Sequence, residues 1–433
     1  MADVVVVGGG FGGMASAARL AKLGHGVTLL EASPGLGGAL GLVEQDGFCW
    51  DSGPTTTLLP AVVRDLFRKS GRAVEKEVDL VPVSPVAQHR FEDGTELDLP
   101  SGRAAQLHAV TDALGDGPAG EWVEYVDRLG EVWEALRRDL FERPWSDAQA
   151  SKESRDLLSS RLTLQRHVHR SLRDERLRSV ALHRSLLEGH QARDVPAWQA
   201  MWSYLEQKFG AWTVPGGIGQ LTDVLADRLR TRGVTVLTGT TVTDLVVEQE
   251  RVVAVRTHAG PVEADVVVVA IDPRRLPVLA LYVERTMPAI PPVLCHLGLS
   301  GEVPDLPAEV VLHGDPMLVL RTTGRAPDGA HAWTLLGRGR IAEDLVNVLQ
   351  RNRIRIRDQV EVRVDLSPRQ LVEQWHGSPA GVLWQGRASL MRRLGPDTPI
   401  GGVFLAGAHS RLGAGLPSVG LSAALVAQRL GPA

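Results

Sequence analysis

Cysteine is scarce in this chain, with Cys49 and Cys295 alone among 433 residues and no metal-ligand spacing between them. That excludes a disulfide framework and a zinc cluster, and it fits a reducing, cytoplasmic setting. Uninterrupted apolar runs near the ~20 residues a bilayer span requires are missing too, leaving at most a peripheral membrane contact. The start, Met1-Ala2-Asp3 and then residues 4–7, all valine, has neither the basic stretch nor the cleavage site of a signal peptide. There is no basic excess: 47 Lys and Arg stand against 51 Asp and Glu, a net charge of −4. A nucleic-acid binder that works by phosphate neutralisation is thereby excluded. What remains is a globular chain, 44% hydrophobic, too long for one simple core and better divided into two domains.

The opening predicts strand, tight turn, helix and strand. Residues 4–7 are β-branched, 8–13 are glycine-rich, 14–23 carry helical apolar spacing and 27–30 are extended again. Residues 80–99, broken by Pro82, Pro85 and Gly94, predict a small antiparallel sheet. Trp122, Val126, Leu129, Trp133, Leu136 and Leu140 fall on one stripe of an amphipathic helix, which is core packing. Residues 161–193 hold eight arginines, and a run of that kind reads as a solvated helix face. Further on come a helix over 220–232, a strand over 234–237, a hairpin of 242–247 with 251–257, and a doubly buried strand over 265–271. Residues 353–365 alternate Ile354, Ile356, Val360, Val362 and Val364 with charged residues, predicting a half-exposed strand. The end, 403–406, a glycine stretch and 418–430, again reads strand, turn, helix.

Gly8, Gly10 and Gly13 form G-x-G-x-x-G directly after the first strand, with Phe11 and Gly12 between them. The first glycine permits the turn, the second lets backbone approach a pyrophosphate, and the third lets helix and sheet pack closely. The helix start then turns free N–H groups towards phosphate. Glu31, followed by Ala32, ends the second strand where a carboxylate can accept ribose hydroxyls. This arrangement serves NAD and FAD alike.

Two later blocks separate them. Ser33-Pro34-Gly35-Leu36-Gly37-Gly38 and Asp51-Ser52-Gly53-Pro54-Thr55 give the chain a resemblance to the phytoene-desaturase-like and amine-oxidase-like flavoproteins. The resemblance implies FAD, with Gly37 and Gly38 along the pyrophosphate and Gly53, Pro54 and Thr55 close to the flavin ring. It extends through residues 204–210 and Pro215-Gly216-Gly217 to Val242, whose strand touches adenine in that family. It continues through Ala270 and Asp272-Pro273, and ends with Gly407-Ala408 and Gly413-Ala414-Gly415-Leu416-Pro417. The implied fold is α/β: a Rossmann-type FAD-binding domain, mostly a parallel sheet, built from residues 1–78, 205–275 and 396–433. It is interleaved with an α+β substrate domain from 79–204 and 276–395. Pro417 suits a first helical position, so a helix over 418–430 would aim its positive end at the N1–C2=O edge of a reduced flavin. Three departures stand out: Ala39 where many relatives have arginine, Ala408 where many have an acid, and Arg411 at the usual histidine position.

The resemblance implies hydride transfer from a C–H bond of a hydrophobic small molecule, an isoprenoid or secondary metabolite, to flavin N5, with the electron acceptor left open. His409 and Arg411 are the polar catalytic candidates nearest the flavin block. Trp202, Tyr204 and Trp212, with Trp198, are candidate substrate walls, although aromatics at such spacing more often form core. His167, His169, His183 and His190 have no ligand spacing, and Cys49 reads as a small buried apolar residue. Two alternatives stay open: an amine-oxidase-like enzyme, and a non-catalytic Rab-escort-like protein that binds lipidated partners on the same architecture.

Overall fold

The computed structural model describes residues 1–433. Strand β1 (Asp3–Val7) passes through the glycine turn into helix α1 (Phe11–Lys22) and returns as β2 (Gly26–Leu30). Much later β3 (Thr235–Leu237), β4 (Val266–Val269) and β5 (Val403–Leu405) join them in one sheet, in the order β5-β4-β1-β2-β3. Every pairing is parallel. A parallel sheet is covered on both faces, which is why β1 and β4 are runs of buried valine. The start of α1 is rich in glycine and alanine, so the helix lies close on the sheet and within reach of the last helix, Leu416–Leu430. The sheet thus draws strands from three separated stretches of chain.

A second sheet has seven strands, in the order Val360–Leu366, Val293–Ser300, Ala330–Arg338, Met317–Gly324, Glu309–Leu312, Ala87–Arg90 and Glu96–Leu99. Its only parallel pairing is Glu309–Leu312 with Ala87–Arg90. Beside it stands a helical layer. There α2 (Asp116–Leu136), α3 (Glu175–Leu187) and α4 (Met201–Phe209) share one core with Trp122, Trp133 and Trp198. The hairpin Val242–Glu248 with Arg251–Thr257 forms as expected and adds Gly260–Glu263 as a third strand.

Three expectations are corrected. Residues 80–99 are not a separate sheet: Val81–Val83 pairs with Ala211–Thr213, and the hairpin that follows is the edge of the seven-stranded sheet. The partners lie more than a hundred residues downstream, beyond the reach of any local pattern. The strand expected over 353–365 begins only at Val360, because Arg353 takes a left-handed turn (φ 63°) and Ile354 and Ile356 drop into the core below. Helix α5 (Leu416–Leu430) starts one residue before Pro417, which becomes its second residue. That position also needs no N–H donor.

Candidate active site

The opening glycines, Glu31 and the last glycine block converge. Gly8 has φ 102°, and a Cβ on Gly13 would collide with the Gly8 carbonyl oxygen, so the turn closes only with both residues as glycine. Gly9 N–H donates to Glu31 Oε2 at 2.5 Å and Ser33 N–H to Oε1 at 2.7 Å, fixing the carboxylate at the mouth of the turn. Gly37 N–H donates to Gly9 O at 2.9 Å, and Gly38 lies against Gly10, so the two glycine blocks sit side by side. Ala270 borders Gly8, Gly13 and Gly407, and a Cβ on Gly12 would lie 2.9 Å from Gly407 Cα. The backbone from Leu237 to Thr240 is stitched to Glu31 and Ser33, which brings buried Val242 to the carboxylate end of the cleft.

These residues suit an anionic dinucleotide. Neither α1 nor α5 has a side-chain N-cap, and neither carries an acid in its first turn, so both present free amides and a positive dipole end. Ser418, in the first turn of α5, has a buried hydroxyl with no hydrogen-bond partner. Buried polar atoms are nearly always paired, so this hydroxyl is a donor that the protein itself leaves unused. Gly53 is packed on the Ala39 carbonyl and accepts a hydrogen bond from Arg321 at 3.0 Å. Thr55 O accepts from Thr213 Oγ1 at 2.8 Å, and Asp51 accepts from Gly219 and Ile218 amides, its carboxyl raised by burial. Ala39 and Ala408 contribute main chain only, as the sequence implies.

Between α3, α4 and Trp384 is a small cavity of about 30 Å³. Trp122, Leu164, Val180, Val195, Trp202 and Trp384 give it an apolar side, while Arg184, Glu188, His183, His190, Gln199 and Glu206 give it a polar one. Arg184 stacks on Trp202 with its guanidinium carbon 4.9 Å from the ring centroid. The cavity touches the glycine block: a Cβ on Gly415 would lie 3.9 Å from Arg184 Nη2, and one on Gly413 would lie 3.1 Å from Arg393 Nη1. Glu206 has no hydrogen-bond partner, and burial pushes its carboxyl up to about 7. Burial holds His190 down to about 3, so its ring is neutral.

The polar candidates sit elsewhere. His409 is buried, with Arg274 Nη2 at 3.2 Å from Nδ1, Ser378 O at 3.0 Å from Nε2 and Asp272 at 3.7 Å. Both ring nitrogens are engaged, and burial lowers its pKa. Arg411 lines a separate small cavity with Leu140, Trp145 and Pro396. Of the aromatic candidates Trp202 lines the cavity between α3 and α4. Tyr204 packs on Gly130, and Trp212 lies under Arg64 with its indole N–H bonded to Phe209 O. The arginine-rich stretch is a solvated face at residues 161, 166, 170, 173 and 193, but Arg184 turns inwards. Arg184, Glu188, Glu206 and Trp384 are cavity residues that the sequence pattern did not single out. The one available signal was Glu206 inside the 204–210 block.

A parallel sheet whose first and last helices begin without side-chain caps at neighbouring glycine turns is the arrangement of a dinucleotide-binding fold. The chain belongs to the family of flavin-containing amine oxidoreductases, whose sequence pattern matches residues 11–297. It is 28% identical to a phytoene dehydrogenase of Streptomyces griseus over 99% of this chain and 94% of that protein. It is 27% identical to a 4,4'-diaponeurosporene oxygenase of Staphylococcus aureus over 70% of this chain and 64% of that protein. The fold matches that of cyclohexylamine oxidase from Brevibacterium oxydans, with TM-score 0.67, 16% identity and 99% of each chain covered. No helix is long and apolar enough to cross a membrane.

Proposed function

We propose that this chain is an FAD-dependent oxidoreductase acting on a C–H bond of a largely apolar small molecule. The observation that carries it is the close approach of the uncapped start of α1 to the last glycine block and to α5, where a Cβ on Gly12 would lie 2.9 Å from Gly407 Cα and 3.1 Å from Val419 Cγ1, with the Glu31 carboxylate held at the same glycine turn. When bound, FAD supplies the two-electron acceptor for the hydride. In this reading the amides of residues 10–13 and 37–38 bind the pyrophosphate, Glu31 the ribose, and the backbone near Val242 the adenine. The start of α5 with Ser418 would lie towards the pyrimidine edge of the flavin, where its dipole would stabilise negative charge. Retention rests on main chain and dipoles, since Ala39 and Ala408 carry no charge. The cofactor part would comprise residues 1–78, 205–275 and 396–433, and the substrate part the remainder.

The names of the two carotenoid-related relatives support an apolar guest, and so does the tryptophan-rich side of the cavity. Its other side is polar. An isoprenoid or secondary metabolite is the guest class this reading names. Amine oxidation is less favoured, since residues 401–425 offer only Phe404, which lies in β5. Exposed Leu281, Tyr282, Met287 and Ile290 support a peripheral membrane contact. The purified protein is expected to be yellow, and its visible flavin band should bleach on anaerobic mixing with its substrate. A colourless protein that takes up no FAD on reconstitution would overturn the reading.

A further inference from the structure

Apart from the terminal Met1, the five most exposed large apolar side chains of the molecule gather on one face. They are Leu281 at 74%, Ile290 at 63% and Met287 at 52%, followed by Met391 and Tyr282. Leu281 and Tyr282 close the helix Pro277–Val283, and the loop after it runs antiparallel to the chain around Val382. There Ala289 N–H donates to Gly381 O at 2.9 Å and Leu383 N–H to Met287 O at 2.7 Å. Gln385 reaches Met287 Sδ with its side chain and Ser389 Oγ with its amide, which sets Met391 and its helical turn beside the same loop. This face is also basic, although the whole chain carries −4. Residues 281–292 and 381–393 hold Arg285, Arg387, Arg392 and Arg393 against Glu284 alone. Arg393 is buried, and the other three are exposed. Arg387 donates to Ser159 O, and Gly386 N–H donates to Asp194 O at 2.7 Å, so the face adjoins both ends of the arginine-rich stretch 161–193. Contiguous apolar side chains in water, rimmed by cations, suit a surface that is anionic outside and apolar beneath. A nucleic acid would meet the arginines and leave Leu281 and Ile290 in water.

We propose that residues 281–290 and 385–392 form a docking face for an anionic lipid surface. Leu281, Met287, Ile290 and Met391 enter the acyl layer, and Arg285, Arg387 and Arg392 stay at the level of the phosphates. This names the partner of the peripheral contact read above, and it rests on that reading only for the apolar guest. Gly381, the partner of Ala289, is packed on the Ala408 carbonyl. One segment of chain thus separates the lipid face from the last glycine block, and a guest dissolved in the bilayer would enter beside the proposed flavin position.

The test uses the full chain with vesicles of phosphatidylcholine alone and of phosphatidylcholine mixed with phosphatidylglycerol, read by co-sedimentation at low and high salt. Binding to the anionic vesicles is expected to be about ten-fold or more tighter than to the neutral ones, and to weaken as salt rises. Arg285→Glu combined with Arg392→Glu should abolish that preference. Leu281→Ser combined with Ile290→Ser should weaken binding to the anionic vesicles by about ten-fold. These four side chains are exposed, so folding should be kept, and the comparison of lipids with the unaltered chain decides the proposal even where a variant fails to fold. No binding, equal binding to both vesicles, or binding that neither double variant changes would each overturn it. So would a concentration-dependent dimer that Leu281→Ser with Ile290→Ser dissociates, since the face would then belong to a second copy of the chain. The flavin band of the same samples separates the two readings. Vesicle binding by a colourless protein upholds the docking face and defeats the cofactor assignment, and a yellow protein that leaves the vesicles free does the reverse.

Discussion

A carboxylate that accepts two main-chain amides is held in place before any ligand arrives, and Glu31 is such a group. Replacing it with alanine leaves the Gly9 and Ser33 amides unpaired and, on the proposed cofactor reading, removes the ribose acceptor. Hydrogen bonds to a charged group contribute about 1.5–3 kcal/mol. Glu31→Ala is therefore expected to weaken FAD binding by about ten- to a hundred-fold, measurable by fluorescence titration of the apoprotein. His409 stands differently: Arg274 and Ser378 occupy its ring nitrogens, so it ties the 270s to the 370s. His409→Ala should lower the melting temperature while substrate-dependent flavin bleaching persists, whereas lost bleaching at unchanged stability would show a chemical role. Glu206 has Arg184 and Glu309 as its charged neighbours. Burial raises its carboxyl to about 7, so the stability it contributes below its ordinary carboxylate value is lost as pH rises through about 7, a profile read from melting temperatures. Glu206→Gln should flatten that profile.

At the scale of elements, the glycine blocks matter because they let backbone touch backbone. Gly12 holds α1 against Gly407 and against Val419 in the first turn of α5. A methyl group there must push β5 and α5 away from α1. Gly12→Ala is expected to cost about 1–3 kcal/mol of stability, as overpacking does. It should also lose most bound FAD, both read from thermal melts and the flavin-to-protein absorbance ratio. The elements around these contacts were legible because their signals are local: β-branched runs for β1 and β4, three-and-four spacing for α2, an alternating pair for the 242–257 hairpin. The edge hairpin of the seven-stranded sheet was not, since its parallel partner Glu309–Leu312 lies over two hundred residues away. The strand expected over 353–365 failed for a related reason: alternation marks burial, and Ile354 and Ile356 are buried by a turn.

Across the whole molecule burial leaves a set of histidines uncharged. It holds His190 and His313 at about 3 and His296 at about 4, and His89 and His183 are lowered as well. The unfolded chain protonates these rings near 6.5 while the folded chain does not. Their contribution to stability is thus complete above about 6.5 and is lost as pH falls from there towards 3–4. Glu206, Glu188 and Asp51, whose carboxyls burial raises, act in the opposite sense above their ordinary carboxylate value, but they are three groups against five. Melting temperature is expected to drop steadily from pH 7 to pH 5. A flat profile over that interval would show that these rings are protonated in the folded state.

The sequence by itself determined the glycine turn between the first strand and helix, because such a turn has few physical solutions, and the placing of Glu31 at the next strand end. It also carried the family resemblance and, within two residues, the start of the last helix. Only the tertiary structure decided what lies above that helix. Arg184 and Glu206 sit on different helices, and each is unremarkable in its own stretch. Their meaning arises when α3 and α4 pack so that both border the same cavity, and a local pattern holds no information about that packing.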